Sequence, residues 1–535
     1  MMERQKMGLF SLVMLALSSI IGSGWLFGSG EAARVAGPAA IISWIIGAVV
    51  IITIAFNYVE LGTMFPESGG MSRYAQYSHG PLLGFIAAWA NWVSLVTIIP
   101  IEAVAAVQYM SSWPWSWASW THHFLAKGNV TTAGLGVVFI FMLIFTLLNF
   151  WSVKLLTRFT SLLAIFKMLI PTLTILLLLF SGFHASNFGH NWQTFAPYGS
   201  SAIFEATTAS GIIFSYNAFQ TVINMGSEIE RPHKNILRGI AISLAISAVI
   251  YTLLQVTFIG SVRPSLLARV GWHGLNFQSP FADLAMMLGL YWLSLLLYLD
   301  AFVSPFGTGV SFAATTARTL AAMTQNRHMP GWLGRLNRRY LIPRFAMLVD
   351  LFVSMLLVSV FRNWSTLASV ISTSTLIAYL TGPVTAISLR KMRPNFKRPF
   401  KSKWLHVMAP LAFVLASLAT YWAMWPTTVE VICVILLGLP FYVYYEHRYG
   451  WKLWREQVKG SLWLIVYLAF LSVVSFIGSK GFGGINWLHY PWDFLTITVV
   501  ALIFYRWGIA SRLDSSELVA AAKVNQAVIM PEDED

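Results

Sequence analysis

Cysteine is almost missing from this chain: Cys433 is the single one in 535 residues. One thiol cannot close an internal disulfide and cannot build a cysteine metal cluster. Charge is scarce as well. Asp, Glu, Lys and Arg make up 10% of the chain, where soluble domains carry about 25%. No long polar stretch is left to fold as a water-soluble domain, which a signalling sensor tends to carry. The patterns of familiar hydrolytic and phosphate chemistry are missing too. There is no His-x-x-His arrangement, no Gly-x-Ser-x-Gly and no phosphate loop. An enzyme is therefore not the reading, and neither a cofactor nor a metal is expected.

Apolar sequence fills the space. Hydrophobic residues are 57% of the chain, and the mean hydropathy is +0.66. A helix needs about 20 apolar residues to cross a bilayer. Fourteen stretches approach or exceed that, at 9–36, 39–64, 82–112, 131–150, 159–181, 204–228, 239–261, 291–323, 345–361, 364–389, 405–425, 427–446, 461–479 and 493–510. The expected fold class is an all-α polytopic membrane protein with about 14 transmembrane helices in a lipid bilayer. Arg4 and Lys6 resemble the start of a signal peptide, but the apolar run behind them is too long and has no clear cleavage site, so the first span is read as uncleaved.

The net charge of +14 would suggest nucleic acid in a soluble protein. Its distribution gives another reason. If the N-terminus is inside, 28 of the 35 Lys and Arg fall in inner segments and 6 in outer ones, with Lys167 inside a span. That bias follows the positive-inside rule and predicts both termini in the cytoplasm, with no nucleic acid partner. The outer segment Trp113-Pro114-Trp115-Ser116-Trp117 fits an interfacial aromatic belt. The tail 511–535 ends in Glu532-Asp533-Glu534-Asp535 and reads as a solvated, acidic cytoplasmic terminus.

Two stretches carry candidate breaks. In the first, Gly22 and Gly24 flank Ser23, and glycine makes the backbone easy to unwind. Unwound backbone at membrane depth is tolerated where it faces protein or a water-filled cavity, and many transporters bind solutes on such broken helices. The alternative use of these glycines is close helix packing. In the sixth stretch Phe214-Ser215-Tyr216-Asn217-Ala218-Phe219-Gln220 is a polar interruption with no glycine at its centre. If it too is a break, spans 1–5 and 6–10 can form two repeats of opposite topology.

Four segments then resemble the amino acid–polyamine–organocation transporter superfamily, in its bacterial amino acid permease branch. They are Ile20-Ile21-Gly22-Ser23-Gly24-Trp25; Phe65 to Tyr74, continuing to Gly84-Phe85; Phe214-Ser215-Tyr216 through Glu228-Ile229-Glu230-Arg231-Pro232; and Arg318 with Ala322-Met323 and Pro330. The resemblance covers residues 8–400. It implies a five-plus-five inverted-repeat core with broken spans 1 and 6 at 1–400, with repeats at 9–181 and 204–389, and alternating access. Residues 401–510 then add four helices. Gly24-Trp25-Leu26-Phe27 and Pro100-Ile101-Glu102-Ala103 are similar to the acidic-amino-acid:proton symporter group, which implies an acidic substrate. The chain departs from the family at Ala218, where glycine is usual, and at Gln220, where a carboxylate is frequent.

An amino acid is a zwitterion, and a broken helix offers free N–H groups at one end and free carbonyls at the other. Ser23 and Gly24 are therefore candidates for the substrate carboxylate, with Gly22 a further substrate-binding candidate beside them. Ile20 and the segment Phe214, Ser215, Tyr216, Asn217 and Ala218 are candidates for the ammonium, with Phe214 as an aromatic gate. Asp300, Ser304, Thr308, Ser311 and Thr315 share one helix face, and with Glu102 they are pathway-lining candidates. Lys167 lies about nine residues into its span, ~13 Å at 1.5 Å per residue, deeper than its side chain easily snorkels. The resemblance places a matching lysine of proton-coupled members where sodium-driven relatives hold their ion, which makes Lys167 the candidate for proton coupling. The expectation is an amino acid:proton symporter in the cytoplasmic membrane. Amino acid exchange and a non-transporting amino acid sensor stand as alternatives.

Overall fold

The computed structural model describes residues 6–67, 70–151, 153–326, 328–337, 342–448, 450, 454–514 and 516–524. Helix occupies each of the fourteen apolar stretches. Nine helices among the described residues are long and apolar enough to cross a membrane. Lipid-facing stripes are visible on them. In the helix Ala40–Met64, Ile45, Val49 and Ile52 are exposed at helical spacing while most of the remaining surface is buried.

The first stretch is two helices, α1 (Leu9–Ile20) and α2 (Gly24–Ala36), joined by a non-helical turn at Ile21 (φ −84°, ψ 86°). The long helix α3 (Pro81–Ser111) runs through the middle of the molecule and is buried along almost its whole length. The remaining helices around the centre are α4 (Val153–Ser181), α5 (Ile212–Tyr216), α6 (Pro232–Ser261), α7 (Tyr291–Gln325) and α8 (Trp364–Tyr379). The most extensive packing of α3 is against α7 and α8.

The sixth stretch breaks earlier than the sequence suggests. Helix Gly199–Ala209 ends before Gly211, whose φ of +78° is left-handed, and α5 starts at the next residue. A Cβ at Gly211 would lie 2.7 Å from the Trp364 ring and 3.0 Å from the Ala368 Cβ, so both backbone and space require glycine. The polar segment behind it is only a 3₁₀ turn, Asn217–Phe219, leading into the short helix Gln220–Asn224.

The helices Trp454–Ile477 and Trp492–Ala510 dock on the short helix Tyr74–His79. The Nε2 of His79 lies 2.8 Å from the Gly508 carbonyl, and the N–H of Leu513 donates to the Ser78 carbonyl at 2.8 Å. Part of the expected solvated tail is packed instead. Ser516–Val524 is a helix in which Leu518, Ala521 and Ala522 share one face and are buried. The apolar run Leu518 to Ala522 supplies that face, which the terminal charges obscured. Glu532 to Asp535 lie outside the described residues. A second buried contact ties distant segments. Glu60 takes a bidentate pair from Arg390 at 2.8 and 2.6 Å, and the guanidinium of Arg398 lies 3.5 Å away.

Candidate functional site

The turn between α1 and α2 leaves carbonyls at the end of one helix and N–H groups at the start of the next. Side chains of neighbouring helices have taken both. The Ser23 N–H donates to Oε2 of Glu102 on α3 at 2.9 Å. Lys167 on α4 donates to the Ser18 carbonyl at 2.9 Å and to Oγ1 of Thr308 on α7 at 2.7 Å. The hydroxyl of Tyr251 on α6 donates to the Ile20 carbonyl at 2.9 Å. A carboxylate thus sits on the N–H end and an ammonium on the carbonyl end. This is the charge arrangement that a zwitterion would bring.

Glycine makes the close approach possible. A Cβ at Gly22 would stand 2.8 Å from Oε1 of Glu102 and 3.0 Å from Oγ1 of Thr308. A Cβ at Gly24 would collide with the Ser215 hydroxyl, so the two broken stretches touch there. Glu102, Lys167 and Asp300 are all fully buried. Oε1 of Glu102 and one carboxyl oxygen of Asp300 lack hydrogen-bond partners, while Ser304 donates to the other Asp300 oxygen at 2.8 Å. Buried ionisable groups in a membrane are costly unless paired or engaged in function.

A small central cavity lies against this turn, with room for roughly a single water. Ile20, Gly22, Glu102, Phe214, Asn217, Ala218 and Thr308 line it, together with Ser19, Ile98 and Phe312. Of the expected residues, Ser23, Gly24, Ser215 and Tyr216 stand behind this lining. Ser215 donates to the Gly211 carbonyl at 2.9 Å, and the Tyr216 ring packs on Trp44 and Tyr251. Asn217 is held from α8, where its Nδ2 donates to Oγ1 of Thr375 at 2.9 Å and its Oδ1 accepts from Tyr379. On α7 only Thr308 of the five-residue polar face reaches the cavity. Asp300 and Ser304 lie away from it, and Ser311 bonds back to the Gly307 carbonyl at 2.8 Å.

Sequence reasoning missed Trp364. Its Nε1 donates to Oγ of Ser23 at 2.9 Å, its ring stacks on Phe27 with centroids 5.1 Å apart, and its edge meets Phe214 at 6.1 Å. The indole covers the turn. Beyond it opens a larger cavity of about 170 Å³ that includes Glu31, Arg34, Lys127 and Trp364 in its walls. A smaller cavity on the opposite side is lined by Asn224, Thr315, Arg318 and Thr319. No local motif marks Trp364; only its position one residue after the helix-capping Asn363 could have drawn notice. Among the described residues no three His, Cys, Asp or Glu side chains converge on a metal-sized site.

The sequence profile described as amino acid permease matches residues 7–433. A glutamate/serine transporter of Bacillus subtilis, AimA, is 49% identical over 98% of this chain and 97% of its own length. The aspartate-proton symporter of the same organism is 32% identical over 94% of this chain and 96% of its own. Its branched-chain amino acid permease BcaP is 24% identical over 84% and 94%.

Proposed function

We propose that this chain, which belongs to the amino acid permease family, imports an amino acid across the cytoplasmic membrane by proton symport with alternating access. The observation that carries this reading is the buried Lys167 ammonium, which bridges the Ser18 carbonyl of the broken helix and the Thr308 hydroxyl of α7. It ties an element able to rearrange at its turn to a long, continuous one. A proton lost from Lys167 weakens that tie, because a neutral amine is a poorer donor than an ammonium.

Substrate binding follows from the same turn. The α-carboxylate takes the N–H groups at Ser23 and Gly24, displacing the Glu102 carboxylate, and the ammonium takes carbonyls near Ile20 and the segment Phe214 to Asn217. The Glu102 carboxylate then loses its backbone donor. Phe214 and Trp364 close over the site from the side of the larger cavity. The substrate is an acidic amino acid. Support comes from the relatives described as a glutamate/serine transporter and an aspartate-proton symporter. The arrangement of spans is fourteen crossings with two inverted five-span repeats and both termini in the cytoplasm, supported by helix in every expected stretch and by the basic bias of the inner loops.

The test uses purified protein in liposomes, offered glutamate, aspartate or serine with and without an inward proton gradient. Symport gives concentrative uptake that follows the gradient and needs no sodium. Uptake only into liposomes preloaded with amino acid identifies an exchanger. Binding with no flux identifies a sensor.

A further inference from the structure

The larger cavity is not explained by the transport site below it. The Trp364 indole separates it from the turn between α1 and α2, yet its walls carry charge in a definite arrangement. Arg34 and Glu31 stand one turn apart on α2 and pair at 2.8 Å, which leaves most of the five guanidinium N–H donors of Arg34 for another acceptor. Lys127 is brought to the same cavity by a hairpin in which Leu125–Ala126 pairs with Asn129–Val130. Lys127 and Gly128 form its two-residue turn, both left-handed at φ +51° and +77°.

The hairpin is fastened beside Trp364. The Val130 N–H donates to the Arg362 carbonyl at 2.8 Å, and Asn363 donates to Asn129 at 3.1 Å. Asn363 in turn caps α8 by accepting the Thr366 N–H at 2.7 Å. The loop that holds Lys127 over the cavity is therefore continuous with the element that carries the covering indole. Among the described residues Lys127 forms no ion pair, and it is exposed to solvent.

The charges sum to two positive and one negative. An acidic amino acid at neutral pH carries two negative and one positive. At about 170 Å³ the cavity is well below the roughly 300–1,000 Å³ of sites for drug-sized ligands, and so suits a small metabolite. We infer that this cavity is a recruitment site for dicarboxylic amino acids, in which Lys127 and Arg34 take the two carboxylates and Glu31 takes the ammonium before Trp364 moves aside. The inference rests on the acidic substrate proposed above.

The experiment measures initial rates of glutamate and aspartate uptake into liposomes at low ionic strength, for the wild type and for Lys127→Ala, Lys127→Glu and Lys127→Arg. Lys127→Ala raises KM by about 3–5-fold, the upper range for a hydrated ion pair, with kcat unchanged. Lys127→Glu raises KM further, Lys127→Arg restores it, and added salt erases the differences by screening. An unchanged KM in Lys127→Glu, or a fall in kcat with KM constant, overturns the recruitment site while leaving the acidic substrate standing. Wild type that takes up neither glutamate nor aspartate refutes the acidic substrate itself, and the recruitment site with it.

Discussion

The backbone N–H of Ser23 donates to the side chain of Glu102, 79 residues away, at 2.9 Å. A protein carboxylate thereby occupies the helix end best suited to a substrate carboxylate. The closed arrangement satisfies the polar ends of the turn from within, which explains why the central cavity is so small.

Gly24→Leu should abolish uptake while the protein still inserts in the membrane. Its side chain would enter the volume of Ser215 and separate the two broken stretches. Ser23→Pro should do the same by removing the N–H that Glu102 now accepts. Radiolabelled uptake by well-expressed variants checks both, and normal rates would remove the turn from the transport site.

Trp364→Ala should make the central cavity more accessible from the Lys127 side. The substitution removes the bond to Ser23 and the ring that stacks on Phe27. The measurement is thiol labelling of Asn217→Cys in a Cys433→Ser background by a membrane-impermeant reagent. Labelling faster by about tenfold or more is expected, the change that losing about 1.4 kcal/mol of closure would produce. Equal rates would mean that the indole is not the cover.

Glu60→Ala should destabilise the protein by about 3–5 kcal/mol, because it leaves two guanidinium groups without their buried partner. Thermal unfolding in detergent, followed by loss of the monodisperse species, reads this directly. A melting temperature equal to that of the wild type would show that water replaces the carboxylate at no cost.

His79 lies in the connection between the second and third apolar stretches, and burial pushes its imidazole down to about 4. The neutral ring is held by Ser78 at Nδ1 and the Gly508 carbonyl at Nε2. Its folded value is depressed from the ordinary 6.5, so the unfolded chain binds the proton first. Stability should therefore fall as pH drops from about 6.5 toward 4. His79→Gln should flatten that part of the stability profile, measured as melting temperature against pH; an unchanged slope would place the sensitivity elsewhere.

Much of the fold was legible from the length of the apolar runs. Residues facing lipid and residues facing neighbouring helices are alike apolar, so stretches of helix stand out by length alone. The first break was legible because two glycines surround Ser23. The second was misplaced toward Phe214 because the polar run drew attention, whereas the left-handed Gly211 looks like any packing glycine until Trp364 is seen against it. Lys167 was legible by its depth, since a cation there requires partners. Its partners were less so: the Ser18 carbonyl is anonymous in sequence, and Thr308 is one of five polar residues on a face where Ser304 bonds to Asp300 while Ser311 and Thr315 bond back to their own helix. Trp364 and Tyr251 could not be found, because what they do depends on distant segments meeting at one turn.

In the proposed mechanism the Lys167 ammonium couples protons to the movement of the broken helix. Its most direct test compares wild type and Lys167→Ala in liposomes, with accumulation of glutamate under an inward proton gradient and equilibrium binding measured on the same preparations. Lys167→Ala should bind substrate but no longer concentrate it, and the wild type should concentrate it without sodium. Unchanged proton-driven accumulation in Lys167→Ala, or a sodium requirement in the wild type, would contradict it.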